Sequence, residues 1–491
     1  MSLSLASNIA QSTLAATAAQ VAIVSRNIDG ANNPNYSRKI ADLTTSMTGS
    51  GGVVSVSRAA DKALYEKMLV AQSTAASQKA LSNGLDQLDQ TIGDPSNGQS
   101  PSALLGSFAN ALQTYSASPN DTTVAQSVIT AASNLTSALN GATAIVQGVR
   151  TQADADMATS VQTINSLLSQ FQAVNADIMR GTQSGADVTD NLDQRDAILS
   201  RLSQEIGITT TTSANGGMAV YTDGGVTLFQ GSARSVTFQT AGTFTAATTG
   251  NAVFVDGVPI TGSSSPMPIQ SGKLAGLSNL RDHVAVTYQS QLDETARGLI
   301  DAFKESDQSA TPTLPDAPGL FTYSGAPAMP GTGLVAGLAG DIKVNANVDP
   351  GQGGNVNLLR DGGIANSGAV TAYTYNTAGG GSFTARIQQL IDGIAAPQSF
   401  DPAAGLNASA SLTDFSTASV SWLESNRQSA SNASTYQTTL VSNASTALSN
   451  STGVNLDSEM SKMLDLEHSY QASSKLLSTI DSLYTALFQA V

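Results

Sequence analysis

One periodicity constrains this chain more than any other feature. Leu456, Met463, Tyr470, Leu477, Tyr484 and Val491 recur at seven-residue intervals. A second set, Leu466, Ile480 and Leu487, is offset by three, and Glu459 and Ser473 are its polar members. An a/d heptad sustained this long specifies an α-helix with a narrow apolar stripe that packs on another helix. Asn455 or Asp457 is placed to cap its start, and Glu459 in the first turn suits the helix dipole. A lone helix of this kind is marginal in water, so the stripe needs a partner.

The opposite end of the chain offers one. Leu14, Val21 and Ile28 are also seven apart, with Leu5, Ile9, Ile23 and Val24 beside them and alanines between. The pattern predicts an amphipathic helix over residues 2–29, stopped by Asp29-Gly30 and the Asn32-Asn33-Pro34 run. Pairing the two ends is the simplest solution, with neighbouring copies sealing what stays exposed. A bundle inside a soluble monomer satisfies the heptads equally well.

Composition narrows the function. Apolar residues make up 41% of the 491, enough for a core, and length suggests about three domains. Only 12% are charged and 5% aromatic. A polar but weakly charged surface suits packing against copies of itself, because like-charge repulsion stays small. The net charge is −15, from 22 basic and 37 acidic residues, and the cations do not cluster. Nucleic acid and anionic membranes are therefore poor partners. No apolar run is long enough to span a bilayer. Cysteine is absent, which excludes disulfides and thiolate chemistry. Met1 to Ile28 has neither a basic n-region nor a compact h-region. The expectation is a protein that stays in the cytosol or leaves without a cleaved signal.

The predicted architecture is mainly α with inserted β. Both termini build a long helical rod, with coiled-coil ends and a helical bundle, carrying one or two small outer β-rich domains. Residues 1–57 and 450–491 form the terminal coiled-coil part, which the family resemblance below makes channel-lining. Residues 58–207, 272–308 and 382–449 form the helical rod, with predicted helices at Ala63–Leu88, Pro101–Tyr115, Thr122–Val149, Asp154–Met179 and Asn191–Ile206. Gly51–Arg58 alternates as a strand or hairpin arm. Composition shifts at Gly207 to Thr, Val, Phe and Gly, so 208–271 is an inserted β domain. Within it Ala252–Val255 and Val258–Ile260 flank Asp256-Gly257, a two-residue hairpin signal. Residues 309–381 are a Gly/Pro-rich, partly β segment, with a strand expected at Ile342–Val348. Helix is expected at Gly272–Lys304, Ser382–Ile394 and Asp414–Ser449.

No catalytic, cofactor or metal site emerges. His283 and His468 are the two histidines, far apart in sequence and without a companion ligand. Asp154 and Asp156 do not complete a calcium loop, since Thr159 stands where glycine is required, and read as a solvated helix face. Asp349-Pro350-Gly351-Gln352-Gly353-Gly354 lacks the Lys-Ser/Thr of a phosphate loop and reads as a turn. No nucleophile elbow is present. The chain reads as a non-enzyme without cofactors.

Several segments resemble the flagellar axial proteins. Asn27-Ile28-Asp29-Gly30-Ala31-Asn32-Asn33-Pro34-Asn35-Tyr36-Ser37-Arg38 is similar to their Asn-Ile-Ala-Asn-x-x-Thr-x-Gly-Tyr segment. Its Ser-Arg after Tyr36 resembles the hook-associated protein 1 family, the first hook–filament junction proteins. Gly52–Leu64, with Arg58 and Asp61, is similar to the next block. Asn191-Leu192-Asp193-Gln194-Arg195-Asp196 resembles the family's Leu-Asp-Gln-Arg-Asp helix. Gly272-Lys273-Leu274-Ala275-Gly276-Leu277 with Arg281-Asp282, and Gly453-Val454-Asn455-Leu456-Asp457-Ser458-Glu459, resemble later blocks. The blocks are in order and span nearly the whole chain. Departures are Asp29-Gly30, Asn33, Asn35 and Lys304-Glu305-Ser306-Asp307.

The resemblance implies a structural subunit at the hook–filament junction and export through the flagellar type III channel without a cleaved signal. It implies a location outside the cell, in the flagellum. The implied partners are copies of itself, hook protein, the second junction protein and an export chaperone on the C-terminal helix. The expected assembly interface is Leu14, Val21, Ile28, Tyr36, Leu456, Met463, Leu466, Tyr470, Leu477, Ile480, Tyr484, Leu487 and Val491. Flagellin or the second junction protein is the alternative within the class. A secreted adhesin or binding module is the alternative outside it.

Overall fold

The computed structural model describes residues 3–45, 51–89, 98–368 and 370–489. Twelve helices are found among them. They are α1 (Leu3–Gly30), α2 (Lys62–Leu88), α3 (Pro101–Ala117), α4 (Thr122–Ser184), α5 (Thr189–Glu205), α6 (Lys273–Asn279), α7 (Ala285–Ala302), α8 (Leu338–Asp341), α9 (Leu358–Asp361), α10 (Ala385–Ala395), α11 (Leu412–Thr452) and α12 (Leu456–Gln489). The strands are short. β1 (Lys39–Thr45) and β2 (Gly51–Arg58) make a hairpin in which Lys39 lies opposite Arg58. β3 (Ile208–Thr212), β4 (Met218–Thr222), β5 (Thr227–Gln230) and β6 (Ser232–Ala233) form one antiparallel sheet. β7 (Val236–Thr237), β8 (Phe254–Val255) and β9 (Val258–Pro259) form another. Two further pairs join β10 (Phe321–Thr322) to β11 (Lys343–Val344), and β12 (Gln398–Ser399) to β13 (Ser409–Ala410). The mainly α architecture with inserted β is thus what the chain adopts.

The backbone of the molecule is α4. Its 63 residues make a rod about 95 Å long at 1.5 Å per residue. The Asp121 carboxylate caps its start by accepting from the Thr123 and Val124 amides. Gly185, at φ +71°, closes its end in the left-handed conformation. The sequence pattern predicts a break between Val149 and Asp154, and the structure has none. Arg150 and Asp154 lie on the buried face of one continuous helix. Arg150 donates to the carbonyls of Arg281, Thr245 and Thr248. Asp154 pairs with Arg281 and accepts from the Ala241 amide. Asp154 is therefore not part of a solvated face; it anchors the loop before β8 to the rod.

Around the first half of α4 pack α3, α6, α7 and α8. Phe108, Phe303 and Phe321 meet there with ring centroids 5.1–5.5 Å apart, in tilted and edge-on geometry that suits aromatic quadrupoles. The β3–β6 sheet lies on the second half, where Phe229 meets Phe171 edge-on at 4.9 Å. The 256–257 hairpin forms as its Asp-Gly turn demands, with φ +47° and +83°. α6 runs through a π-helical turn at Leu280–Val284 into α7. Gly276 lets α6 cross α2 closely: a Cβ there would sit 2.2 Å from the Ser77 carbonyl oxygen. The strand expected at Ile342–Val348 shrinks to Lys343–Val344, because the Asn345 side chain bonds the Gly319 carbonyl and the Val348 amide turns back to the Asn345 carbonyl.

α2 and α11 form a long pair that carries the chain away from this bundle. At its end α11 gives way to α12, which packs on α1. No helix among the described residues is long and apolar enough to cross a membrane.

Candidate functional site at the joint of the chain termini

Four of the family-like segments, at 27–38, 52–64, 191–196 and 453–459, converge where α1, the β1–β2 hairpin, α5 and the α11–α12 corner meet, whereas the 272–282 segment packs on α4 and α2. Asn27 sits at the centre and is fully buried. Its Nδ2 donates to the Lys39 carbonyl at 2.9 Å and to Glu459 Oε2 at 3.0 Å. Its Oδ1 accepts from the Lys39 amide at 2.8 Å and the Tyr36 hydroxyl at 3.0 Å. An asparagine side chain has two donors and two lone pairs, and all four are used. One amide thus joins the end of α1, the start of β1 and the first turn of α12.

The loop between α1 and β1 is folded to meet this. The Asn33 amide donates to the Gly30 carbonyl, and the Tyr36 amide to the Asn33 carbonyl. Gly30 leaves room for the Tyr36 ring, whose carbons would lie 2.6–2.7 Å from a Cβ there. Burial pushes the Tyr36 hydroxyl up to about 12, against the pull of Arg26, so it stays a donor. The Arg38 amide donates to the Thr452 carbonyl at 2.8 Å, tying the loop to the end of α11. Asn455 caps α12 through its Oδ1 and the Ser458 amide. Glu459 stands in the first turn of α12, as expected, and is buried there against Asn27.

Three cations fix this joint to α5. Arg26 pairs with Asp187 and Asp190, each at 2.8 Å. Lys39, wholly buried with its ammonium over the Tyr36 ring, pairs with Asp193 and lies 3.5 Å from Asp190. Arg58 reaches Asp193 at 2.7 Å and Asp196 at 2.6 Å. Burial raises the Asp196 carboxyl, and Arg58 opposes the rise. Arg195, also buried, turns the other way and donates to the Gly216 carbonyl of the β3–β4 turn at 2.8 Å. A 560 Å³ cavity lies beside the joint, lined by the 31–37 loop, α5, the β3–β4 edge and the end of α11.

Below the joint runs the α1–α12 seam. On α1, Ala10, Thr17 and Val24 are buried and alternate with half-buried Leu14, Val21 and Ile28. On α12, Ile480 is buried, and Met463, Leu466, Ser473, Leu477 and Tyr484 are half-buried. Leu456, Tyr470 and Leu487 stand exposed, and Val491 lies outside the described residues. Beyond the heptad, Met460, Leu464, Leu476, Leu483 and Phe488 are exposed as well, Phe488 to 78%. The apolar surface of α12 is wider than α1 covers. His283 and His468 are both exposed. Among the described residues no group of His, Asp and Glu is arranged to hold a metal ion.

Of the expected interface residues, Tyr36 is drawn into the joint, Val491 lies outside the described residues, and the others belong to α1 and α12, where they line or flank the seam. Sequence reasoning missed Asn27, Lys39 and the Asp187–Asp196 series as one network. The signals available were a polar residue breaking the heptad at Glu459 and aspartates recurring at three-residue steps.

Comparison with known proteins points one way. The family described as the flagellar hook-associated protein FlgK helical domain matches residues 85–316. The family described as flagellar basal body rod FlgEFG protein C-terminal matches residues 445–490. Flagellar hook-associated protein 1 of Salmonella typhimurium is 27% identical over 308 residues, 60% of this chain and 55% of that protein. The Escherichia coli protein of the same name is 25% identical, over 66% of this chain and 60% of its own length. That of Bacillus subtilis is 22% identical over 96% of both chains. The chain thus spans little more than half the length of the enterobacterial relatives. The structure of the hook junction protein FlgK from Burkholderia pseudomallei is 24% identical with a TM-score of 0.42, covering 53% of this chain and 47% of that one.

Proposed function

We propose that the chain belongs to the flagellar hook-associated protein 1 family and is a structural subunit of the bacterial flagellum at the hook–filament junction. The observation that carries the reading is the α12 stripe, half sealed by α1 and flanked by exposed Leu476, Leu483, Leu487 and Phe488. Apolar surface of this extent marks an interaction site. Copies of the same chain are its fitting partners, since the paired ends of each subunit then complete one another in a coiled-coil layer lining a channel. Contacts of this kind are heterologous and extend as a helical stack. In this arrangement the ends form one domain, α2–α11 with the bundle forms the next, and the β3–β9 region lies outermost.

The same reading makes hook protein and the second junction protein the axial neighbours. It assigns the exposed α12 stripe to an export chaperone before assembly, and export to the flagellar type III channel without a cleaved signal. The protein acts by assembly rather than catalysis. Deleting its gene and examining flagella tests this. The expected outcome is hooks without filaments and flagellin shed to the medium; normal filaments would refute it.

A further inference from the structure

We infer that a ladder of ion pairs, rather than apolar packing, latches the terminal helices and hairpin onto the bundle, and that this latch opens as a unit without unfolding either side. Four carboxylates follow at three-residue steps, Asp187 just before α5 and Asp190, Asp193 and Asp196 in its first turns. Three cations from three terminal segments face them, Arg26 on α1, Lys39 on β1 and Arg58 on β2. Each cation bridges two successive carboxylates: Arg26 spans 187 and 190, Lys39 spans 190 and 193, Arg58 spans 193 and 196. All the positive charge is on one side and all the negative on the other. A stagger of this kind sets register as well as attraction, because a one-step slip leaves an end charge unpaired.

Among the described residues, the contiguous apolar core does not extend across the ladder. The contiguous hydrophobic core runs from Leu69 through α3, α4, α7 and the β3–β6 sheet to Ala430. It contains no residue of α1, β1, β2 or α12. Ile23, Val24 and Ile480 are buried, yet they belong to the terminal pair and not to that core. The bonds that cross between the two parts are polar: the ladder, the Arg38–Thr452 backbone bond, the Ser37 amide donating to Asp193 and the Lys39 ammonium donating to the Thr189 carbonyl.

The ladder is graded. Its centre is dry, with the Lys39 side chain at 0% exposure and Asp193 at 10%, while Arg26 and Asp190 at one end stand at 37% and 68%. Salt screens exposed pairs strongly and buried ones weakly. Opening therefore begins at Arg26 and must break Lys39–Asp193 last. Leaving a buried charge alone is costly, so the latch is held closed or released as one event. It concerns the single subunit and does not depend on where that subunit is assembled.

Hydrogen exchange on the full-length monomer, read by mass spectrometry at low salt and in about 1 M NaCl, tests it. Amides of residues 27–58 and of the first turns of α12 should exchange roughly tenfold faster at high salt, while those of α3, α4 and α7 stay as they were. Arg26→Gln should speed the same amides at low salt and flatten their salt response, and Arg58→Lys, which keeps the charge, should retain most of it. Arg26 lies at the exposed end, so its loss leaves the fold intact. A terminal unit indifferent to salt, a core that loosens with it to the same degree, or an Arg26→Gln variant with an unchanged salt response would each overturn the latch.

Discussion

The bundle around α4 and the pair made by α1 and α12 are both helical, yet they are stabilised differently. In the bundle the apolar stripe of α4 is covered along its length, and Leu135, Leu139, Val146, Met157, Ile164 and Phe171 are all sealed from solvent. In the terminal pair Ala10, Thr17 and Val24 of α1 are buried, Met463, Ser473 and Leu477 of α12 are only half-buried, and apolar side chains stand in the open beside them. Each fully buried large side chain contributes about 1.5–3 kcal/mol, so the bundle has many such terms and the pair few. The bundle is a finished core. The pair is an unfinished one, as the proposed completion by neighbouring copies requires.

The contrast breaks most visibly if the bundle itself is opened. Phe303→Ala removes the ring shared by Phe108 and Phe321 and should cost about 3–5 kcal/mol in chemical denaturation, since a cavity remains. Ile480→Asp or Leu477→Asp should act on the other region alone. Either places a charge in the α1–α12 seam, so filament-bearing junctions should be lost in complementation assays while the denaturation midpoint of the bundle holds within about 0.5 kcal/mol. Normal junctions from such variants would dismiss the seam.

A smaller effect is expected at the joint. Asn27→Ala strands the Glu459 carboxylate and the Tyr36 hydroxyl, and should loosen the ends by about 1–3 kcal/mol in exchange or proteolysis without moving the bundle. The smallest effect is a pH response confined to the bundle. Burial, resisted by hydrogen bonds from Gly337, Ala339 and Gln289, raises the Asp293 carboxyl to about 6. The folded state then holds a proton that the unfolded chain releases near the ordinary carboxylate value. Asp293 should therefore make the bundle more stable as pH falls from 7 through 6 towards 4, by on the order of 1–2 kcal/mol, and Asp293→Asn should make that slope shallower, leaving the share of buried Glu305, which burial also raises.

Much of this difference was legible in the residues. The heptad from Leu456 announces α12, and Leu14, Val21 and Ile28 announce its partner, because periodicity records which face is buried. The Asp256-Gly257 hairpin was equally plain. Polar residues misled where they are buried. The expected gap between Val149 and Asp154 does not exist, and both Arg150 and Asp154, the latter read as solvated, are buried and tied to Arg281. Glu459 looked like a flaw in a coiled coil and is a ligand of Asn27. The role of the aspartates at 187–196 was not legible, since their cations come from positions 26, 39 and 58 and local pattern carries no record of such distant partners.

The most direct measurement compares amide exchange in residues 3–30 and 456–489 between the free subunit and intact flagella. The account predicts that these amides exchange at least a hundredfold faster than those of α4 in the free subunit and become comparably protected once assembled. Ends already as protected as α4 in the solitary subunit, with no gain on assembly, would contradict it.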